Sequence, residues 1–184
     1  MDVKGTAFVA RRAFLIAAFG DDAWQSFFDV FLRQQPTFDA DIIPVSVIPV
    51  ADFLAFNEAV VEHFYDGDVR THWRFGEASA EWALREGPYK SFFQSNDVAD
   101  FLRTAPSLWK AYYSEGSFRA ALDDEARIVD AHIEVPVAHV HFELNVMGYL
   151  RRALELTGAM VLQHEAVEGF TLGDSRIHYR FRLE

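Results

Sequence analysis

Cysteine is absent from this chain. That removes disulfides, thiolate metal sites, iron–sulfur clusters and cysteine nucleophiles together. Positive charge is scarce: 17 Lys and Arg stand against 28 Asp and Glu, a formal net charge of −11 at pH 7. Nucleic acid and anionic membrane surfaces both call for a basic patch, so neither is an expected partner. No apolar run approaches the ~18 residues of a membrane span. Residues 13–19 are apolar and follow Arg11 and Arg12, as in a signal peptide. The stretch is short, Asp21 and Asp22 come next, and no small-residue cleavage site is evident. A buried helix in a cytoplasmic protein is the expectation.

What the chain does have is apolar bulk. Hydrophobic residues make up 51% of the 184, with 18 Phe and 4 Trp. That suffices for a sizeable core in one domain, 1–184, and no linker suggests two. The ring content fits an aromatic core, or else a cavity walled by rings.

Period and punctuation divide the chain into a helical part, 1–115, and a strand-rich part, 116–184. Residues 7–19 end at Gly20, a natural helix stop. Asp22 with Gln25 forms a capping box for the next helix, which carries Trp24, Phe27, Phe28 and Phe31. Residues 42–49, broken by Pro44 and Pro49, read as an extended connector. Helices follow from Val50 and from Asp68. A short helical piece at 98–102 and a separate helix capped by Thr104, with Pro106 in its first turn, complete this part. Beyond Gly116 the period becomes two. Phe118, Ala120 and Leu122, then Val129, Ala131, Ile133 and Val135, form a hairpin with one apolar face. Residues 137–157 read as a helix. Residues 160–168 read as a strand, and Ile177, Tyr179, Phe181 and Leu183 alternate in a last one. The fold class is α+β: N-terminal helices packed on a four-stranded antiparallel sheet, in the order helices, β-β-α-β-β.

Several residues carry the resemblance to a family. They are Met147–Gly148–Tyr149–Leu150, Ala153–Leu154, Gly158, the Gly173–Asp174 turn and Tyr179–Arg180–Phe181, with Phe75–Gly76–Glu77 upstream. Over residues 116–184 the chain resembles the 4-vinyl-reductase-type small-molecule-binding family. That family shares its fold with heme-nitric-oxide (H-NOX) sensor domains and Golgi transport-particle subunits. The resemblance implies a non-catalytic sensory or regulatory domain with a small apolar or lipid-like ligand between helices and sheet, and a homodimer. A protein-interaction or dimerisation module without ligand is the alternative it leaves. The family's cysteines beside the Gly–Asp turn match Gly169 and Ile177 here. The heme-binding relatives' Tyr-x-Ser-x-Arg motif meets Tyr112–Tyr113–Ser114, but Gly116 stands at the Arg position. No histidine lies between His72 and His132. No cofactor is therefore expected, heme included.

Candidate site residues come from the ring-rich middle: Trp73, Trp82, Tyr89, Phe93, Trp109, Tyr112 and Tyr113. Tyr hydroxyls and Trp N–H groups are its polar handles. His139, His141 and Glu143 are the metal candidates, with zinc as the ion. A polar helix start with an i, i+4 pair is the plainer reading, because two side chains do not make a site. His132 and His178, with Arg176, Arg180 and Arg182 facing Asp130 and Glu134, read as a solvated sheet face with cross-strand ion pairs. Glu77 and Glu81 are like charges at i, i+4 and so read as exposed. No nucleophile and base occur at diagnostic spacing, and no enzyme is expected.

Overall fold

The computed structural model describes residues 1–92 and 97–184. Strand β1 (Asp2–Lys4) leads into helices α1 (Gly5–Phe19) and α2 (Asp21–Leu32). Strand β2 (Val47–Pro49) pairs antiparallel with β1. Helices α3 (Val50–Tyr65), α4 (Thr71–Arg85) and α5 (Val98–Tyr112) complete the helical part. Strands β3 (Ser117–Asp123) and β4 (Ile128–Glu134), helix α6 (Val140–Leu156), and strands β5 (Val161–Glu168) and β6 (Ile177–Leu183) follow. The sheet runs β3-β4-β6-β5, antiparallel throughout. This is the α+β arrangement that the change of period predicts.

Three local readings need correction. The connector at 42–49 contributes β2, because its last three residues find a partner in β1, which sequence reading left unassigned. The two pieces at 98–102 and from Thr104 are one helix, α5, with Pro106 inside it. Asp97 caps it by accepting from the Asp100 backbone N–H, so the helix starts upstream of the proline and runs through it. The Thr104 hydroxyl donates to the Phe101 carbonyl, a bond inside the helix and not a cap. Helix α2 follows Gly20 directly, without the side-chain cap assigned to Asp22.

Most of the phenylalanines pack against one another. Phe8, Trp24, Phe27, Phe31, Phe38 and Phe56 form a buried cluster, with ring centroids 4.9 Å apart for Phe8 and Phe56. The inner sheet face supplies Val129, Ala131, Ile133, Ile177, Tyr179 and Phe181 to the core.

Helices α4 and α6 meet backbone to backbone. A Cβ added at Gly76 would lie 1.9 Å from the Asn145 carbonyl oxygen, and one at Gly148 would lie 2.2 Å from that of Trp73. Glycine costs a helix interior roughly 0.5–1 kcal/mol relative to alanine, so these two positions are explained by the close approach. Ion pairs flank the crossing: Arg151 with Glu77 at 3.2 Å and Arg152 with Glu81 at 2.6 Å. Glu77 and Glu81, expected to be solvated, thus belong to the α4–α6 seam.

Gly148→Ala should lower the chemical denaturation midpoint by the equivalent of ~2 kcal/mol or more, because overpacking against backbone has no flexible side chain to yield. An unchanged midpoint would mean that the helices can separate without cost.

Candidate ligand cavity

Helix α1 buries Phe8, Arg11 and Leu15 on one stripe. Arg11 is 2% exposed. Its Nε donates to Asn57 Oδ1 on α3 at 3.1 Å, and its Nη2 donates to Asn145 Oδ1 on α6 at 3.0 Å. The guanidinium carbon stands 3.4 Å from the centroid of the Phe75 ring on α4. Nη1 has no hydrogen-bond partner among the described residues, and no carboxylate pairs with the group. Burial pulls the Arg11 pKa well below its ordinary value, with Tyr113 and Tyr65 acting in the opposite direction. A buried cation without a counter-charge carries a desolvation cost of several kcal/mol.

Arg11 lies in the wall of a cavity between the helices and the start of the sheet. Ala7 joins it from α1, Phe53 from α3, Ser79 from α4, and Asn145 and Tyr149 from α6. Helix α5 contributes Ala105, Leu108, Trp109 and Tyr112, and Tyr113 and Phe118 close the sheet side. The unfilled space is about 640 Å³ when the open mouth is counted.

The phenol hydroxyls of Tyr112 and Tyr149 also lie in the wall, close to one another, and neither has a partner beyond the other among the described residues. Burial holds the pKa of Tyr112 well above the usual phenol value, and the neighbouring Tyr149 and Tyr89 add to it. Burial likewise raises Tyr113 and Tyr149. Unpaired buried polar groups are uncommon and costly. Arg11 Nη1 and the Tyr112–Tyr149 phenol pair give this cavity a polar end.

Of the rings expected to form the site, Trp109, Tyr112 and Tyr113 line this cavity. Tyr89 stands behind Tyr112, with ring centroids 5.0 Å apart, and its hydroxyl donates to the Ala111 carbonyl at 2.9 Å. Trp73 lies elsewhere, stacked on His164 at 4.5 Å and donating to Glu77. Trp82 faces a separate open groove with Ala10, Phe14 and Glu86. Phe93 falls outside the described residues. Sequence reasoning did not select Arg11, Asn145 or Tyr149. Spacing could not single out Arg11, because Arg11 and Arg12 both stand three or four residues from Phe8 and from Leu15.

His139, His141 and Glu143 do not converge on one point. His139 caps α6, its Nδ1 accepting from the His141 backbone N–H, and its Nε2 meets Glu58 at 2.9 Å. His141 turns inward to His72, with Nδ1 atoms 3.4 Å apart. Glu143 is fully buried. Its carboxylate accepts from the Thr171 backbone N–H at 2.8 Å, the Thr171 hydroxyl at 2.5 Å and the Tyr179 hydroxyl at 2.7 Å. Its lone pairs fasten α6 to the turn before β6. A Cβ at Gly169 would fall 2.4 Å from Glu143 Oε1. The Glu143 carboxylate therefore occupies the space that a side chain at position 169 would need.

No family model matches this chain, and no curated protein matches it. Solved structures do share its fold. An H-NOX protein from S. oneidensis in the Fe(II)NO state superposes with a TM-score of 0.74 over 98% of this chain and 99% of its own, at 13% identity. The SO2144 H-NOX domain from Shewanella oneidensis in the Fe(II)CO state gives 0.74, covering 98% of each chain, at 14% identity. A mutant H-NOX protein from K. algicida in the Fe(II) unliganded state gives 0.69, covering 98% of this chain and 96% of its own, at 12% identity. The chain has the H-NOX fold. None of these neighbours is of the 4-vinyl-reductase type.

These neighbours correct two expectations. The proteins that share the fold are described by an iron and its NO, CO or unliganded state. An expectation of no cofactor, heme included, does not stand beside them. Neither does an apolar or lipid-like molecule as the partner.

The buried histidines generate a prediction. Burial, then the Arg11 charge, then His139 bring the His72 pKa down to about 3. Burial, His72, Arg11 and His139 hold His141 well below its ordinary value. Both rings stay neutral in the folded protein while the unfolded chain takes up protons below pH ~6.5. The unfolded state therefore binds more protons, and stability falls as pH drops from 6.5 toward 3. The loss should be on the order of a few kcal/mol. Thermal melts across this range should show a shallower fall of Tm for His72→Gln than for the wild type. Parallel curves would remove the histidines from the acid response.

Proposed function

We propose that this chain is a non-catalytic sensory domain that holds a heme-type cofactor in the cavity beside Arg11 and responds to a small diatomic gas. The observation that carries the reading is the cavity's donor set: the unpartnered Arg11 Nη1 and the Tyr112 and Tyr149 hydroxyls, which face one another, all buried. The H-NOX fold over 98% of the chain supports it.

The residues present fit such a group in a particular way. Among the described residues the wall contains no histidine, cysteine or methionine. The iron ligand it can offer is a tyrosine oxygen, as in some heme proteins. Heme carries carboxylates, and a guanidinium is their natural partner, by short charge-assisted hydrogen bonds. When bound, the heme iron supplies a coordination position open to a small gas.

The chain's own residues do the rest. Asn57 and Asn145 fix the plane of the guanidinium, and Arg11 Nη1 would donate to a heme carboxylate. Burial favours the neutral phenol at Tyr112 and Tyr149. A nearby metal cation reverses that preference, as bound cations do for the groups that ligate them. Phe53, Leu108, Trp109 and Phe118 exclude water from the apolar part.

Hemin titrated into the purified chain should form a 1:1 complex with a phenolate-to-iron absorption band. Tyr112→Phe with Tyr149→Phe together should abolish that band, and one of the single variants should reproduce the loss. Arg11→Met should weaken hemin binding roughly tenfold or more, as expected when an ion pair with a buried charge is lost, and Arg11→Lys should restore part of it. No complex with hemin, or an unchanged spectrum in the double tyrosine variant, would contradict the reading.

A further inference from the structure

The outer face of the sheet carries a second cluster, away from the cavity wall. On β4, Asp130, His132 and Glu134 alternate with the buried Val129, Ala131 and Ile133. On β6, His178, Arg180 and Arg182 alternate with the buried Ile177, Tyr179, Phe181 and Leu183. Antiparallel register sets His132 directly opposite His178 and Asp130 opposite Arg180. The two imidazoles stack nearly parallel, with centroids 4.1 Å apart and planes at 18°. His178 Nε2 lies 2.7 Å from Asp130 Oδ1. One ligand atom from each of Asp130, His132 and His178 falls within 4.8 Å of the others.

We infer that Asp130, His132 and His178 form a site for a divalent transition-metal ion, zinc in particular, on the solvent face of the β4–β6 pair. Two imidazoles and one carboxylate on adjacent strands are a common ligand set for such ions, with water completing the shell. Bonds of ~2.0–2.2 Å set the ligand atoms of a tetrahedral ion roughly 3.3–3.6 Å apart, so His178 Nε2 and Asp130 Oδ1, 2.7 Å apart here, give up their hydrogen bond and separate to admit the ion between them. Strand pairing already fixes the backbones, so little further order has to be imposed on binding. Glu168 pairs with His178 from β5 and stands next to supply a fourth oxygen.

The cations around the cluster set its cost. Arg180 Nε holds Asp130 Oδ1 at 3.1 Å and would be released when the ion binds. Arg119 faces His132 across β3–β4 and pairs with Glu134 at 2.9 Å. The ion replaces one cation beside Asp130 by another, and the two imidazoles bind it neutral. The site is independent of the heme reading, since none of its residues lines the cavity.

The test is zinc chloride titrated into the untagged, chelator-stripped full chain by calorimetry, with cobalt(II) absorption as a second readout. One ion per chain is expected. His132→Ala, His178→Ala and Asp130→Asn should each weaken binding roughly tenfold or more, at least the loss seen when an outer partner of a metal ligand is removed. These are surface positions on one sheet face, and circular dichroism should show the variants folded. His139→Ala and His164→Ala should bind as the wild type does. No stoichiometric binding, or binding undiminished in the His132→Ala, His178→Ala double variant, would overturn the inference. So would binding lost in His139→Ala or His164→Ala instead.

Discussion

A single buried guanidinium ties the helical half of this protein to its sheet-bearing half. Arg11 on α1 bonds to Asn57 on α3 and Asn145 on α6, and lies over Phe75 on α4. Four helices thus meet at one charged group. Its third face is left to the cavity. A cation in this position is costly unless something answers it, and no carboxylate of the described chain does. The same charge disfavours protonation of His72 and His141 nearby. In a chain of net charge −11, Arg11 makes the cavity wall a locally positive point.

The C-terminal half keeps that point in place by two devices of different kinds. Gly76 and Gly148 let α4 and α6 touch along their backbones, which sets where Asn145 and Tyr149 project. Glu143, one helix turn away, ends in three hydrogen bonds to Thr171 and Tyr179 and locks α6 onto the sheet. A buried carboxylate with three donors is a satisfied group and not a free ligand. The absence of a side chain at Gly169 follows from the same contact.

Much of the architecture was legible from period and punctuation. The change of period at Gly116, the alternation in β6 and the helix between the two hairpins all appear as read. Long, regular elements advertise themselves because burial repeats along them. What failed was short or non-periodic. Strand β1 has three residues, too few for alternation to register. Pro106 looked like a helix start because local preference favours it there, yet Asp97 caps the helix nine residues earlier. The cavity was half legible. Trp109, Tyr112 and Tyr113 were found as apolar rings, whereas Arg11, Asn145 and Tyr149 were not. Those three come together through long-range contacts, with 134 positions separating Arg11 from Asn145. Spacing along the chain carries little information about such pairs. The missing histidine and arginine of the heme-binding motif were read correctly as residues, but the expectation of no heme drawn from them does not stand beside the iron-holding proteins that share the fold.

The account rests on Arg11 Nη1 being the seat of an anionic group on whatever the cavity holds. A crystal structure of the hemin-loaded protein tests this most directly. A heme carboxylate within hydrogen-bond distance of Arg11 Nη1, with Tyr112 or Tyr149 at the iron, is the predicted result. A heme bound elsewhere, or one inside the cavity whose carboxylates point away from Arg11 into solvent, would contradict it.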